Sequence, residues 1–165
     1  GDLLVDKEED LDRIFAAYEG RISVHAESEE RLLARIAAHE GHTDPAIHSV
    51  IRAPEAARLG VEMAAKLANR YGRRLHILHM STHAEVSALR AGREEASSKN
   101  TGARITAEAC PHHLFLNTDA YETWGNHVSY PSGDQVCTRI WEVLVIWFEV
   151  TSKKNRWTPD IEKEL

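Results

Sequence analysis

Leu75-His76-Ile77-Leu78-His79-Met80-Ser81-Thr82 decides the fold. It reads as a short buried β-strand that ends in a histidine and runs into a helix. A second stretch, Arg21-Ile22-Ser23-Val24-His25-Ala26-Glu27-Ser28, has the same design. Parallel α/β folds carry their chemistry at the C-terminal ends of their strands, and histidine is the commonest protein metal ligand near neutral pH. Two strands that each end in histidine and each lead into a helix therefore point to two ligands of one metal site, His25 and His79. A hydrogen-bonded structural role is the alternative for either histidine alone. Repetition of the design in successive units is what favours ligation. Two imidazoles do not by themselves complete a hydrolytic metal centre, which usually has three protein ligands and an open position.

Outward from these strands the elements alternate. Residues 6–18 carry Leu11, Ile14 and Phe15 at helical spacing behind acidic residues, and Gly20 stops that helix. Ser28 is placed to cap a helix over 29–39 with Leu32, Leu33, Ile36 and Ala37 on one face. Residues 41–45 are rich in turn formers. Pro54 suits a first helical turn, and Ala57, Val61, Ala64, Ala65 and Ala68 give the helix over 53–70 a small-residue packing face, ended by Tyr71-Gly72. A helix over 82–91 follows the second strand, with Ser97 to Asn100 read as loop. A third strand covers 105–109. This β-α-β-α-β rhythm predicts a parallel sheet with crossover helices. If strand residues alternate sides and His79 faces the interior of a barrel, Leu75 and Ile77 face the same way and His76 faces the helices. By the same count His25 shares its side with Ser23.

The third strand leads into Glu108, Pro111, His112 and His113. Pro111 breaks the strand. The paired histidines are placed to bind metal, orient a substrate or cap the following turn, and Glu108 to act behind a ligand or to pair with an arginine; spacing leaves these open. His39, His42, His48, His83 and His127 lack matched partners and read as surface or capping residues. Cys110 has no base at a recognisable spacing and reads as a small buried side chain.

A chain of 165 residues suits one ordinary domain and is shorter than the ~250 residues of a complete (β/α)8 barrel. A net charge of −6, without a clustered basic stripe, argues against a nucleic-acid surface. No apolar run approaches the ~18 residues of a membrane span, and the acidic Gly1-Asp2 start lacks the features of a secretory signal. Two distant cysteines, Cys110 and Cys137, make no disulfide framework, so a reducing cytoplasm is the simplest compartment. Beyond about Ala120 the rhythm weakens; residues 136–150 have mixed periodicity and the last fifteen are charged. The chain divides at residue 125 into an α/β body and a divergent tail over 126–165.

The ordered series Leu3-Leu4-Val5-Asp6, Val24 to Ser28, His48 to Ala57, Leu75 to Thr82 and Ile105 to Leu116 resembles the dihydroorotases, cyclic amidohydrolases of the amidohydrolase superfamily. Pro111-His112-His113-Leu114 is more like dihydroorotase than allantoinase or hydantoinase. The resemblance covers roughly residues 2–125 and implies a partial (β/α)8 TIM barrel made of its middle βα units. It implies zinc as cofactor, with His25 and His79 as metal ligands, and Glu108, His112 and His113 as substrate-binding residues or residues behind the ligands. The activity it implies is reversible hydrolysis of dihydroorotate to carbamoyl-aspartate, a step of pyrimidine synthesis, with a small cyclic amide as substrate and neither nucleic acid nor membrane as partner. The family's His-x-His strand, its bridging carboxylate, its Asn-Pro-Pro-like substrate loop and the Asp-His-Ala-Pro-His motif that carries the catalytic aspartate have no counterparts here. The resemblance therefore assigns no catalytic residue in this chain and implies a fragment that is inactive alone and self-associates through unpaired sheet edges. An allantoinase- or hydantoinase-type enzyme is one alternative. A non-catalytic barrel remnant acting as an interaction subunit is the other.

Overall fold

The computed structural model describes residues 5, 7–44, 46–111, 113 and 118–125. Glu8, Glu9 and Asp10 open helix α1 (Glu8–Ala17), where negative charge favours the positive end of the helix dipole. Strand β1 (Arg21–Val24) follows. In α2 (Glu29–Ala38) the Ser28 hydroxyl accepts from the Arg31 amide at 3.4 Å, as its N-cap position predicts. A short α3 (Ile47–Ile51) precedes α4 (Pro54–Tyr71), which has proline in its first turn. Gly72 closes α4 at φ 65°, a left-handed cap that glycine adopts without Cβ strain. Strand β2 (Arg74–Ile77), helix α5 (His83–Ser98), strand β3 (Arg104–Ala107) and helix α6 (Ala120–Trp124) follow among the described residues.

The three strands form one parallel sheet in the order β1-β2-β3. Ile22 pairs with Leu75 and Leu75 with Ile105, while Ser23, His76 and Thr106 form the adjacent row. Parallel strands need crossovers, and α4 and α5 supply the long ones. The core lies on one side of the sheet, where Ile22, Leu75, Ile77 and Ile105 meet Phe15 of α1, Val61 and Leu67 of α4, and Val86 and Leu89 of α5. The small-residue face of α4 is buried as its spacing predicts. It brings α4 so close to α5 that a Cβ at Gly92 would stand 2.7 Å from the Ala65 Cβ.

Three expectations change. First, Leu75 and Ile77 face the helices, and His76 lies on the opposite face in the row with Ser23 and Thr106. Alternation does not extend back from His79, because regular pairing ends at Ile77 and His79 has a left-handed φ of 37°. Ile77 and Met80 both enter the core, so the side-to-side count slips across Leu78 and His79. Second, α5 runs on to Ser98 instead of ending at Ala91. Gly92 does not break it, because the missing side chain is what admits α4, and a Lys99–Glu95 contact of 2.8 Å closes the last turn. Third, α3 lies in a stretch with no regular element expected. The tail over 126–165, with its mixed periodicity, lies outside the described residues.

Candidate functional site

Parallel pairing sets β1 beside β2 with their C-terminal ends together. The Leu78 amide donates to the Val24 carbonyl at 3.0 Å, which extends the contact just past the regular ladder. His25, which follows β1, and His79, two residues beyond β2, meet directly. Nδ1 of His25 lies 3.0 Å from Nε2 of His79, and the ring centroids are 4.7 Å apart at 49°. A hydrogen bond between two neutral imidazoles requires one nitrogen to carry the proton and the other to accept it.

The same geometry serves as a fit test for a metal ion. Two nitrogens bound to one Zn²⁺ at ~2.0–2.1 Å in a tetrahedral arrangement stand ~3.3 Å apart. The separation of 3.0 Å is within a few tenths of an ångström of that value. The donor types fit, and they supply two ligands. Among the described residues no group of three or more His, Cys, Asp or Glu side chains is arranged to hold a metal ion.

His79 is held in its unusual conformation from several sides. The Met80 amide donates to the Glu108 carbonyl at 2.8 Å, and the Glu108 amide to the Ile77 carbonyl at 3.0 Å. His113 is fully buried, and its Nδ1 donates to the Met80 carbonyl at 3.2 Å. Thr82 caps α5 in a reciprocal capping box with Glu85. One carboxylate oxygen of Glu85 accepts from the Ser81 amide at 3.0 Å, the Thr82 amide at 2.8 Å and the Thr82 hydroxyl at 2.8 Å. Burial pushes the Glu85 carboxyl up from its ordinary pKa; the Ser81 and Thr82 donors pull it down, and the charge of Glu27 adds to the rise.

Glu27 is the neighbour that sequence reasoning missed. Its Oε2 is 3.7 Å from Nε2 of His25 and forms an ion pair with Arg52. The Glu27 side chain is 10% exposed. The signal was present in Val24-His25-Ala26-Glu27, where the acid follows the histidine by two positions, but only the fold carries Arg52 to it. Gly60 of α4 permits the fit, since a Cβ there would stand 2.5 Å from the Ala26 carbonyl carbon and the Glu27 amide nitrogen.

Glu108 pairs with a histidine instead of an arginine. Its Oε2 is 3.2 Å from Nε2 of His76, and Nδ1 of His76 is 2.9 Å from the Thr106 hydroxyl. This second imidazole–carboxylate pair lies on the sheet face opposite the helices. His112 and His127 lie outside the described residues. His39 turns its Nδ1 to the Arg35 carbonyl of its own helix at 2.8 Å, and His83 sits in the first turn of α5 beside Ser87.

No protein-family model matches the chain. Over 122 residues it is 30% identical to a dihydroorotase of Methanosarcina mazei, a match covering 72% of this chain and 27% of that protein. It is 36% identical to a dihydroorotase of Halobacterium salinarum over 63% of this chain and 21% of the relative. It is 31% identical to a D-hydantoinase of Geobacillus stearothermophilus over 61% and 21%. The chain thus spans about a quarter of the length of the curated relatives it matches. Among solved structures, a D-hydantoinase from Bacillus sp. AR9 superposes with a TM-score of 0.74 at 23% identity, over 92% of this chain and 33% of that one. A dihydropyrimidinase from Brevibacillus agri superposes with a TM-score of 0.69 at 23% identity, over 92% and 33%.

Proposed function

The chain is a partial relative of the cyclic amidohydrolases, dihydroorotases and hydantoinases alike, and on that premise we propose that it forms the metal-binding middle of a cyclic-amide hydrolase. The observation that carries this reading is the 3.0 Å approach of His25 Nδ1 to His79 Nε2 at the ends of two neighbouring parallel strands. In the proposed site these two nitrogens hold a divalent ion, zinc by the chemistry of the donors. Such an ion, when bound, supplies electrophilic activation of the ring amide and of the attacking water. The chain's own residues do the rest of what this segment contributes. His25 and His79 fix the position of the ion. His113, Glu85 and the β3 backbone hold the turn that presents His79. His76 and Glu108 present a polar pair on the sheet face opposite the helices, placed for the polar edge of a cyclic substrate.

In this reading residues 1–125 make up the middle units of a (β/α)8 barrel, and residues 126–165 a separate tail. The Pro111-His112-His113-Leu114 form favours dihydroorotate as the substrate. The hydantoinases among both the relatives and the solved structures support a hydantoin-type ring as the second reading.

Thermal unfolding with and without zinc tests the site. Zinc is expected to raise the melting temperature, because a ligand that binds only the native state stabilises it. His79→Ala is expected to abolish the gain and His83→Ala to keep it. An equal zinc response in both variants would remove the ligand assignment.

A further inference from the structure

The two ring nitrogens of His25 have different surroundings, and that difference carries an inference about which of them is presented. Nδ1 faces His79. Nε2 faces Oε2 of Glu27 at 3.7 Å. The Glu27 side chain is nine-tenths buried, and Arg52, itself only 21% exposed, grips the same oxygen. Gly60 lets α4 lie directly on the Ala26–Glu27 peptide, and the Ser28 amide donates to the Ala56 carbonyl of α4 at 2.9 Å. The backbone on either side of the carboxylate is therefore anchored to α4, and its head is anchored by a guanidinium.

A carboxylate fixed beside one nitrogen of a neutral imidazole favours the proton on that nitrogen, and the other nitrogen is left with its lone pair. Ligating histidines are commonly oriented this way by a carboxylate behind the ring, which sets the tautomer and strengthens the donor. We propose that Glu27, braced by Arg52, is the positioning residue of the histidine pair: it holds the His25 proton on Nε2, so that Nδ1 is the nitrogen offered beside Nε2 of His79. This rests on the metal reading given above. It adds the carboxylate that makes one of the two ligands and the reason for the Glu27–Arg52 ion pair. It also explains why that pair is buried. Burial and the Arg52 clasp keep the carboxylate in one place beside a ring that is itself half exposed.

The test uses the full 165-residue chain with zinc alone as the probe. Zinc affinity is read by competition with a chromophoric chelator. The His25 tautomer is read in the metal-free chain by long-range proton–nitrogen NMR, a signature that a merely structural role for Glu27 would not move. The parent is expected to show His25 protonated on Nε2. Glu27→Gln is expected to lose that preference and to bind zinc about 10- to 100-fold more weakly. Glu27→Asp keeps a carboxylate one methylene further back, is expected to fall between the two, and carries the same readouts if the glutamine variant does not fold. Parent-like zinc affinity and an unchanged tautomer in either variant, with zinc binding lost in His25→Ala, would overturn the role of Glu27 and leave the metal site standing. Parent-like zinc binding in His25→Ala and His79→Ala would instead bring down the metal reading itself.

Discussion

His79 is the only described residue other than Asn100 and glycines with a positive φ. A histidine there stores backbone strain, of order 1–3 kcal/mol for a non-glycine residue in this region. The strain is tolerated because the turn is tied down by the Glu108 backbone, by His113 and by the Glu85 cap. Asparagine tolerates the left-handed region well, whereas a β-branched residue does not. His79→Asn is therefore expected to match or exceed the parent in metal-free stability while losing the zinc response. His79→Val is expected to be less stable than His79→Asn by about 1–2 kcal/mol. Chemical denaturation of the two variants checks the order, and equal midpoints would show that the turn is unstrained.

At the scale of elements, Gly60 of α4 seats the end of β1 against the helix behind it. Alanine in a helix interior is ordinarily favoured over glycine by ~1 kcal/mol. Here its Cβ would meet backbone atoms of Ala26 and Glu27 at 2.5 Å, which cannot rotate away. Gly60→Ala is expected to destabilise the chain and to weaken zinc binding through the displaced His25 strand end; a melting temperature above the parent's would show that the β1–α2 connection yields freely. Glu85 adds a pH dependence of defined sign. Its carboxyl is raised by burial, so between the ordinary carboxylate value and the raised one the folded chain binds more protons than the unfolded chain. Its contribution to stability therefore falls as pH rises through that window. Glu85→Gln keeps a side chain that can close the capping box and removes the charge. Its stability should lack this decline, which urea midpoints taken across the window will show. Asp12 has the opposite sign. The Tyr71 hydroxyl at 2.8 Å, with Arg70 beside it, lowers its carboxyl, so the α1–α4 clasp is lost as pH falls below the ordinary carboxylate range.

At the scale of the whole molecule, β1 and β3 each pair on one side only among the described residues. Parallel strands with free edges invite pairing with another chain. The 165-residue chain is expected to self-associate, and a sharp monomer peak in sizing together with a cooperative melt would argue against an open segment of barrel. Catalysis follows the same logic. The described residues bring two imidazoles together and hold no group of three or more side chains arranged for a metal ion, the number of protein ligands usual in a catalytic zinc site. The isolated chain with added zinc is expected to open neither dihydroorotate nor hydantoin above background. Zinc-dependent turnover that disappears in His25→Ala would show that a second copy or the tail completes the site.

The β-α-β-α-β rhythm of the body and its parallel sheet were legible from local pattern, because strand propensity, turn residues and helical spacing are properties of neighbours along the chain. Ser28 as a cap, Pro54 as a first turn and the alanine face of α4 belong to the same class. Thr82-His83-Ala84-Glu85 carried the capping-box spacing as well, although its burial did not show in the sequence. What only the tertiary structure decided depends on a break in that regularity or on contacts across many residues. Alternation along β2 predicted the wrong face for His76, since one left-handed residue shifts the count for everything on the far side of it. The helix expected to end at Ala91 runs on through Gly92, where α4 packs in the space a side chain would take. Glu27 is one acid among many until the crossover returns Arg52 to its side, 25 residues later in the chain. Charge pairing, burial and ring tautomer are set by what folding brings near, and for His25 that is Glu27 and His79 together.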